Sequence, residues 1–371
     1  MEDDIKICKK CLTLSTRPRV GYDDNGICNA CTWANKKKKE IDWNERWEDL
    51  KEICDRFRRN DGYWDVLVPC SGGKDGSHVA WMLKNKLNMN PLCVTLRPPI
   101  QTKIGKKNLD NFIKSGFEHI LINPEKETYR KINKKCFVKY GKPKFIFEIG
   151  IQTVTMKIAM DLGIPFIMYG EEGEEEYGGS TSQIGKYKIS ESYLRDYYHS
   201  NIILEDILNE FDDKKCNWWR LLSQKEVDNA DLYSTHWSHF ENWDPELHYK
   251  IAKKYCGLTE LNKPSIGTFT TYSQLDDKLQ DLHAYMMYIK FGFGRAWSDA
   301  CIEIRAGRMT RNEGIEMVKR YDGIFPYEYL DDYLEYFEMT EEEFWNTIDS
   351  FRSSDIWKKS DGEWRLRFEI K

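Results

Sequence analysis

The stretch Asp65-Val-Leu-Val-Pro-Cys-Ser-Gly-Gly-Lys-Asp-Gly-Ser-His78 constrains this chain more than any other. Val66, Leu67 and Val68 form a short apolar run suited to a buried strand. Ser71, Gly72 and Gly73 break that run. From Asp75 the pattern turns helical, with Val79, Met82, Leu83 and Leu87 recurring at spacings of three and four. The order is strand, tight glycine turn, helix. Such a turn binds anions: two glycines let the backbone approach a phosphate closely, free amides point at it, and the helix N-terminus adds about half a positive charge. Lys74 supplies a full charge. Asp75 can hold a magnesium ion, which prefers one or two carboxylates together with phosphate oxygens. The adjacent glycines followed at once by lysine do not match the Walker A spacing.

The second strong signal is Cys8-x-x-Cys11 with Cys28-x-x-Cys31, the two pairs sixteen residues apart. Each pair can chelate from one turn, and four thiolates suit a tetrahedral zinc. Two disulfides or an iron–sulfur cluster are the alternatives. With four protein ligands such a zinc has no open position, so its role is structural. The other seven cysteines are scattered over 371 residues, which fits a reducing cytosol rather than a disulfide framework. The formal charge of −5 gives no support to nucleic-acid binding. No run of 18 apolar residues is present, so no membrane insertion is expected. Met1-Glu-Asp-Asp4 is acidic and lacks the apolar segment of a signal peptide. The expected location is cytoplasmic.

Read in order, Lys36–Lys39 is a charge run expected to be a solvated face leading into a helix with Trp43, Trp47, Leu50, Ile53, Cys54 and Phe57 on its buried side. Further strands are expected at 92–96, 119–122 and 166–169, with helices at 106–115, 126–140 and 146–162. This alternation predicts an α/β fold, a parallel sheet with helices on both faces. Ligands bind such sheets outside the carboxyl ends of the strands. The glycine turn, Arg97 and the loop Gly170-Glu-Glu-Gly-Glu-Glu-Glu-Tyr-Gly-Gly179 therefore converge on one cleft, where Glu171 and Glu172 could bind magnesium or orient a nitrogen. Residues 181–262 are rich in aromatics, which form either a sugar-stacking surface or a core. His236 and His239 are better read as ordinary histidines than as a metal pair. The last third is helical, with Ser273 expected as an N-cap, and Thr310 with Glu313 and Thr340 with Glu343 as capping boxes. Lys290-Phe-Gly-Phe-Gly-Arg295 interrupts a helix at Gly292, either as a plain turn or to bring Lys290 and Arg295 to the cleft. The domains expected are 1–40, a zinc ribbon; 41–180, the sheet; 181–262, a substrate or insertion region; and 263–371, helices completing the site.

The glycine turn resembles the PP-loop of the ATP pyrophosphatases, Ser-Gly-Gly-x-Asp-Ser, with a HUP-like sheet. The family's last serine falls at Gly76, and Ser77 stands one place later. Together with the four-cysteine ribbon, the 170–179 loop, Pro264-Ser-Ile-Gly-Thr-Phe-Thr270 and Tyr288-Ile-Lys-Phe-Gly-Phe-Gly-Arg295, it resembles the N-acetyl sugar amidotransferases of the PseA and WbpG type. The resemblance implies ATP, Mg2+ and structural Zn2+ as cofactors. It implies conversion of an N-acetyl group on a nonulosonic or uronic sugar to acetamidino, through an O-adenylyl imidate that ammonia displaces, giving AMP and pyrophosphate. Ser71, Gly72, Gly73, Lys74, Asp75, Gly76 and Ser77, with Leu96 and Gly170 at strand ends, would bind ATP. Lys74, Asp75, Glu171, Glu172, Lys290 and Arg295 would carry catalysis. Ammonia would come from a glutaminase subunit working with a cyclase-like subunit, similar to the histidine-biosynthesis pair. A tRNA sulfurtransferase shares ribbon and loop, but no later Cys-x-x-Cys is present here. A non-catalytic ATP-binding subunit is the third reading.

Overall fold

The computed structural model describes residues 5–183, 188–200 and 202–370; the acidic N-terminal tetrapeptide lies outside them. At its centre is a five-stranded sheet in the order β3-β2-β1-β4-β5, built from β1 (Val66–Pro69), β2 (Pro91–Leu96), β3 (Glu118–Ile122), β4 (Phe166–Tyr169) and β5 (Tyr233–His236). All four pairings are parallel. Strand alternation decides the two cores. Leu67 and Ile167 face the helices Lys126–Tyr140 and Phe145–Asp161. Val66, Val68, Phe166 and Met168 face Trp43–Phe57 and Lys74–Lys86. The sheet is therefore covered on both faces, as the alternation of strands and helices predicts. Among the described residues no helix is long and apolar enough to cross a membrane.

The chain runs from β1 outward to β3 and then returns to place β4 on the other side of β1. This reversal between β1 and β4 opens a crevice at the carboxyl ends of those strands, the position where such sheets bind ligands. The loops after β1 and β4 stand on its two sides.

Three features depart from the sequence expectations. The fifth strand is Tyr-Ser-Thr-His, from the stretch assigned to an insertion, so the sheet does not end at residue 180. It is short and polar, and burial of Ser234, Thr235 and His236 by neighbouring elements, not any apolar run, makes it a strand. The Lys36–Lys39 run closes the helix Asn29–Lys39 and is not wholly solvated. Lys37 is buried in an ion pair with Glu176 at 2.5 Å. The helix Lys278–Phe291 is capped by Asp277, not Ser273. The preceding residues instead lie along the loop after β2, with Thr102 N–H donating to Asp276 C=O at 3.1 Å and Lys278 N–H to Ile100 C=O at 3.0 Å. Both C-terminal capping boxes form as expected.

The ribbon has no core of its own. Its cysteines, Leu12 and Leu14 pack with Phe293, Trp297, Ala300 and Val318, so ribbon and C-terminal helices bury one shared apolar cluster. Residues 1–40 and 263–371 are thus one packing unit. The last strands, β6 (Trp357–Ser360) and β7 (Glu363–Leu366), form a separate antiparallel hairpin.

Candidate active site

The glycine turn is held by two close approaches. Gly72 has φ +81, and a β-carbon there would stand 2.6 Å from Leu109 N and 2.7 Å from the Asn108 carbonyl. Only glycine satisfies both demands. Gly73 is the N-cap of Lys74–Lys86 and offers no side-chain cap. The first amides of that helix are left for a ligand. A β-carbon on Gly76 would lie 2.8 Å from the Pro69 carbonyl oxygen and 2.9 Å from Cys70 Cα. The helix therefore sits too close to the strand end for the serine found at this place in the PP-loop pattern. Ser77 does not replace it. It is fully buried, with Oγ 3.8 Å from Cys70 Sγ and N–H donating to Gly73 C=O at 3.2 Å. Helical geometry turns this residue to the core face, which removes it from the phosphate-facing set.

Two cavities open from the crevice. The narrower, about 380 Å3, is lined by Ser71, Gly73, Lys74, Asp75, Gly76 and Leu96, with Glu171 and Arg295 across from them. The wider, about 1010 Å3, takes in Gly170, Glu171, Lys290 and the tyrosines 177, 193, 197 and 198. Asp75, Gly76, Glu171 and Tyr177 line both. The two spaces meet at a pair of carboxylates.

Those carboxylates differ. Burial would raise the Asp75 pKa, but Lys74 and His248 more than offset it and hold the group well below the usual range. Lys74 bonds one carboxylate oxygen. The other accepts from His248 Nδ1 at 2.8 Å and Trp243 Nε1 at 3.3 Å. Lys74 and His248 help Glu171 too little to offset its burial. Burial, and then the negative charge of Asp75, push it up to about 7. A divalent cation held by Asp75 would relieve this repulsion, and magnesium accepts a single carboxylate together with phosphate oxygens.

Glu172 is not in the crevice. It caps the helix Gly173–Tyr177 by accepting from Glu175 N–H at 2.7 Å and also takes the Tyr193 hydroxyl. An N-cap must point back along its own helix, which turns Glu172 away from Asp75. Lys290 and Arg295 flank the left-handed Gly292 but reach different cavities. Lys290 donates to Tyr140 C=O at 2.8 Å, and burial, then Lys142, lower it to about 8. Arg295 is half-buried, and Asp299 at 2.8 Å holds its charge.

Three contributors had no sequence signal. Arg17 comes from the ribbon loop, sits 4.5 Å over Phe293 and donates to Ser298 Oγ at 2.8 Å. Lys142 lies in the connection between two helices. His248 stands 173 residues beyond Asp75. No local spacing links any of them to the glycine turn. The aromatic region divides: Trp219 and Trp237 are fully buried core, whereas its tyrosines line the wider cavity. His236 and His239 are buried, and His239 does have an acidic neighbour, Glu175 at 3.6 Å.

The four cysteines converge as expected. All four sulfurs lie within 4.8 Å of one another, with Cys8 to Cys31 at 3.9 Å and Cys11 to Cys28 at 3.5 Å. Tetrahedral zinc with bonds of about 2.3 Å needs sulfurs about 3.8 Å apart. Backbone amides of Lys10 and Cys28 point at Cys8 Sγ at 3.4 and 3.3 Å, and Arg305 lies 3.6 Å from Cys11 Sγ. These donors would offset the negative charge of a four-thiolate centre.

A glycine loop at the switch point of a parallel sheet, beside four clustered cysteines, defines an α/β protein with a strand–turn–helix anion site that resembles a PP-loop. Residues 266–371 match the family model described as "LPS biosynthesis protein WbpG-like, C-terminal domain". That segment supplies Arg295 to the narrow cavity and Lys290 and Phe293 to the wide one. Uncharacterized protein MJ1599 of Methanocaldococcus jannaschii is 27% identical over 108 residues, which are 29% of this chain and 38% of that relative. The match thus spans well under half of the relative's length. A predicted subunit of tRNA methyltransferase from the same organism is a solved structure similar at TM-score 0.32 and 16% identity, covering 60% of this chain and 86% of that one. A likeness that weak says nothing about function.

Proposed function

We propose that this chain is an AMP-forming amidotransferase that uses ATP to convert the N-acetyl group of an acidic bacterial surface sugar to acetamidino. The observation that carries the reading is the junction of the two cavities at Asp75 and Glu171. The narrow side has the features of a phosphate site: free helix amides, Lys74 and Arg295. The wide side has the size and tyrosine lining of a sugar site. Its cations favour an acid: among the described residues Arg17, Lys142 and Lys290 have no carboxylate at ion-pair distance. Three half-buried cations without a nearby counter-charge favour a ligand that supplies it. The description of the matching family, LPS biosynthesis, agrees with a surface sugar.

An acetamido oxygen is a poor leaving group, so it must first be activated. It attacks the ATP α-phosphorus, the α–β bridging bond breaks, and pyrophosphate departs. Lys74 and the helix amides stabilise the charge that builds on the leaving oxygens, and Arg295 faces the same space. Magnesium, when held by Asp75, supplies further neutralisation of the phosphates. Ammonia then adds to the imidate carbon and AMP leaves with the former amide oxygen. Glu171, with its pKa near neutrality, is suited to take the proton that ammonia must lose. Ammonia comes from a separate glutaminase acting with a cyclase-like subunit. The reaction belongs in the cytoplasm, where ATP is supplied.

ATP–pyrophosphate exchange, with products resolved by chromatography, tests this. Exchange that requires an N-acetylated sugar acid, with AMP as product, is expected. Dependence on tRNA would favour the sulfurtransferase, and no exchange a binding subunit. ADP and phosphate as products would sink the assignment.

A further inference from the structure

Behind Asp75 lies a buried group of side chains that the proposed reaction does not use. The helix Pro245–Tyr255 runs along Lys74–Lys86, and two ring pairs join them: Trp81 on Tyr255 at 4.4 Å and His78 on His248 at 3.8 Å. His248 Nδ1 meets Asp75 at 2.8 Å, and its Nε2 faces Glu241 at 3.4 Å. Glu241 Oε2 also accepts from His78 Nε2 at 2.7 Å and Trp237 Nε1 at 2.6 Å. Both histidines are buried.

Two histidines and a glutamate this close suggest a metal centre. The geometry argues against one. A metal lies in the plane of each imidazole that binds it, and the rings are stacked within 13° of parallel at 3.8 Å, so their planes share no nearby point. Glu241 Oε2 is also already taken by two N–H donors. What remains is a chain of alternating charge, Lys74, Asp75, His248, Glu241. Burial opposes a charge on His248, but Asp75 and Glu241 overcome it and raise its pKa to about 9.

The two oxygens of Asp75 are thereby divided. One is taken by His248 and Trp243, both anchored in the segment that follows β5. The other points to Lys74, on the cavity side. A carboxylate with two rotatable bonds would otherwise swing between these directions.

We propose that His248 is a positioning residue: anchored on Glu241, it fixes one oxygen of Asp75 and so presents the other to the cation that accompanies ATP. This rests on the reading of the narrow cavity as the nucleotide site. Glu241 keeps the imidazole oriented, and Trp243 repeats its contact from a second direction.

Calorimetric titration of full-length protein with α,β-methylene-ATP, with and without Mg2+, tests the proposal without requiring turnover. Asparagine places its amide near the Nδ1 position, glutamine near Nε2. His248→Asn should therefore keep Mg2+-dependent affinity within about threefold of wild type, whereas His248→Gln should lose about 10- to 100-fold, the usual range for residues that orient a metal ligand. Affinity without Mg2+ should change in neither. Trp243→Phe leaves both histidines intact and should weaken the Mg2+-dependent part in the same direction by a smaller factor, which keeps the test open if the His248 variants do not fold. Equal behaviour of the two His248 variants, or an unchanged Trp243→Phe, would overturn the proposal alone. No binding by wild type would overturn the nucleotide reading and this proposal together. A stoichiometric metal lost in Glu241→Ala would replace the charge chain with a metal centre.

Discussion

The loops after β1 and β4 face each other across one crevice, yet they are built in opposite ways. The loop after β1 is organised from within: Gly72, Gly73 and Gly76 set its path, and its functional groups are neighbours in sequence. The loop after β4 is organised from outside. It carries five glutamates that look alike in sequence, and each has a different tertiary partner or none. Glu172 caps its helix, Glu174 pairs with Arg19, Glu175 lies near His239, and Glu176 pairs with Lys37. Glu171 alone of the five lines both cavities. A charge run therefore cannot be assigned a single role. Most of it secures the loop to the ribbon and the helix that follows, and one member is left for chemistry.

The largest effect should come from the ribbon against which the β4 loop rests. Cys28→Ala should lose the single zinc, measured by metal analysis. Because structural zinc contributes about 10–16 kcal/mol in isolated ribbons, the loop 170–179 should then become protease-sensitive. Retained zinc, or an iron absorption band, would break the assignment. Next, Glu176→Gln leaves Lys37 buried without a counter-charge, which typically costs about 3–5 kcal/mol. Denaturant unfolding should register that loss, while turnover per folded molecule stays near wild type.

Lys74→Ala should do the reverse. Losing one preorganised donor costs about a hundred- to a thousand-fold in rate, about 2.7–4 kcal/mol of barrier, with the melting temperature close to wild type. Undiminished AMP release would move the catalytic centre, with Lys290 and Arg295 next in line. Glu171→Gln should cost about a hundredfold in amidination. The wild-type rate should fall as pH drops through about 7, where Glu171 gains its proton, and the variant should lose that limb. The stability sign is opposite. A folded pKa near 7 against about 4.5 unfolded means that stability falls as pH rises between them. At pH 8 the glutamine variant should therefore melt no lower than wild type. A large drop there would make Glu171 structural like its neighbours. The smallest effect is that of Arg19→Ala. Its pair with Glu174 is partly exposed and worth less than about 1 kcal/mol, so a bigger thermal shift would show that the β4 loop depends on it.

The contrast explains what could be read from residues alone. Four of the five sheet strands, the paired helices, the four-cysteine cluster and both C-terminal capping boxes follow from apolar periodicity or short spacing. So does the anion-binding turn, because a left-handed glycine, a strand end and a helix start are all encoded within a dozen residues. Ser77 was misjudged for a local reason: motif position is counted along the chain, but a one-residue shift on a helix rotates a side chain by about 100°, here into the core. β5 was missed because a polar tetrapeptide becomes a strand only when neighbours bury it.

Sequence by itself determined the fold class, the glycine turn and the clustering of the four cysteines, since each rests on periodicity or spacing over short stretches. Tertiary structure alone decided which glutamate shares both cavities with Asp75, that Arg17 of the ribbon enters the wide cavity, and that His248 stands behind Asp75. Those depend on burial and charge pairing between elements far apart in the chain. The free energy of a buried charge is set by whatever packs around it, and no local pattern records that.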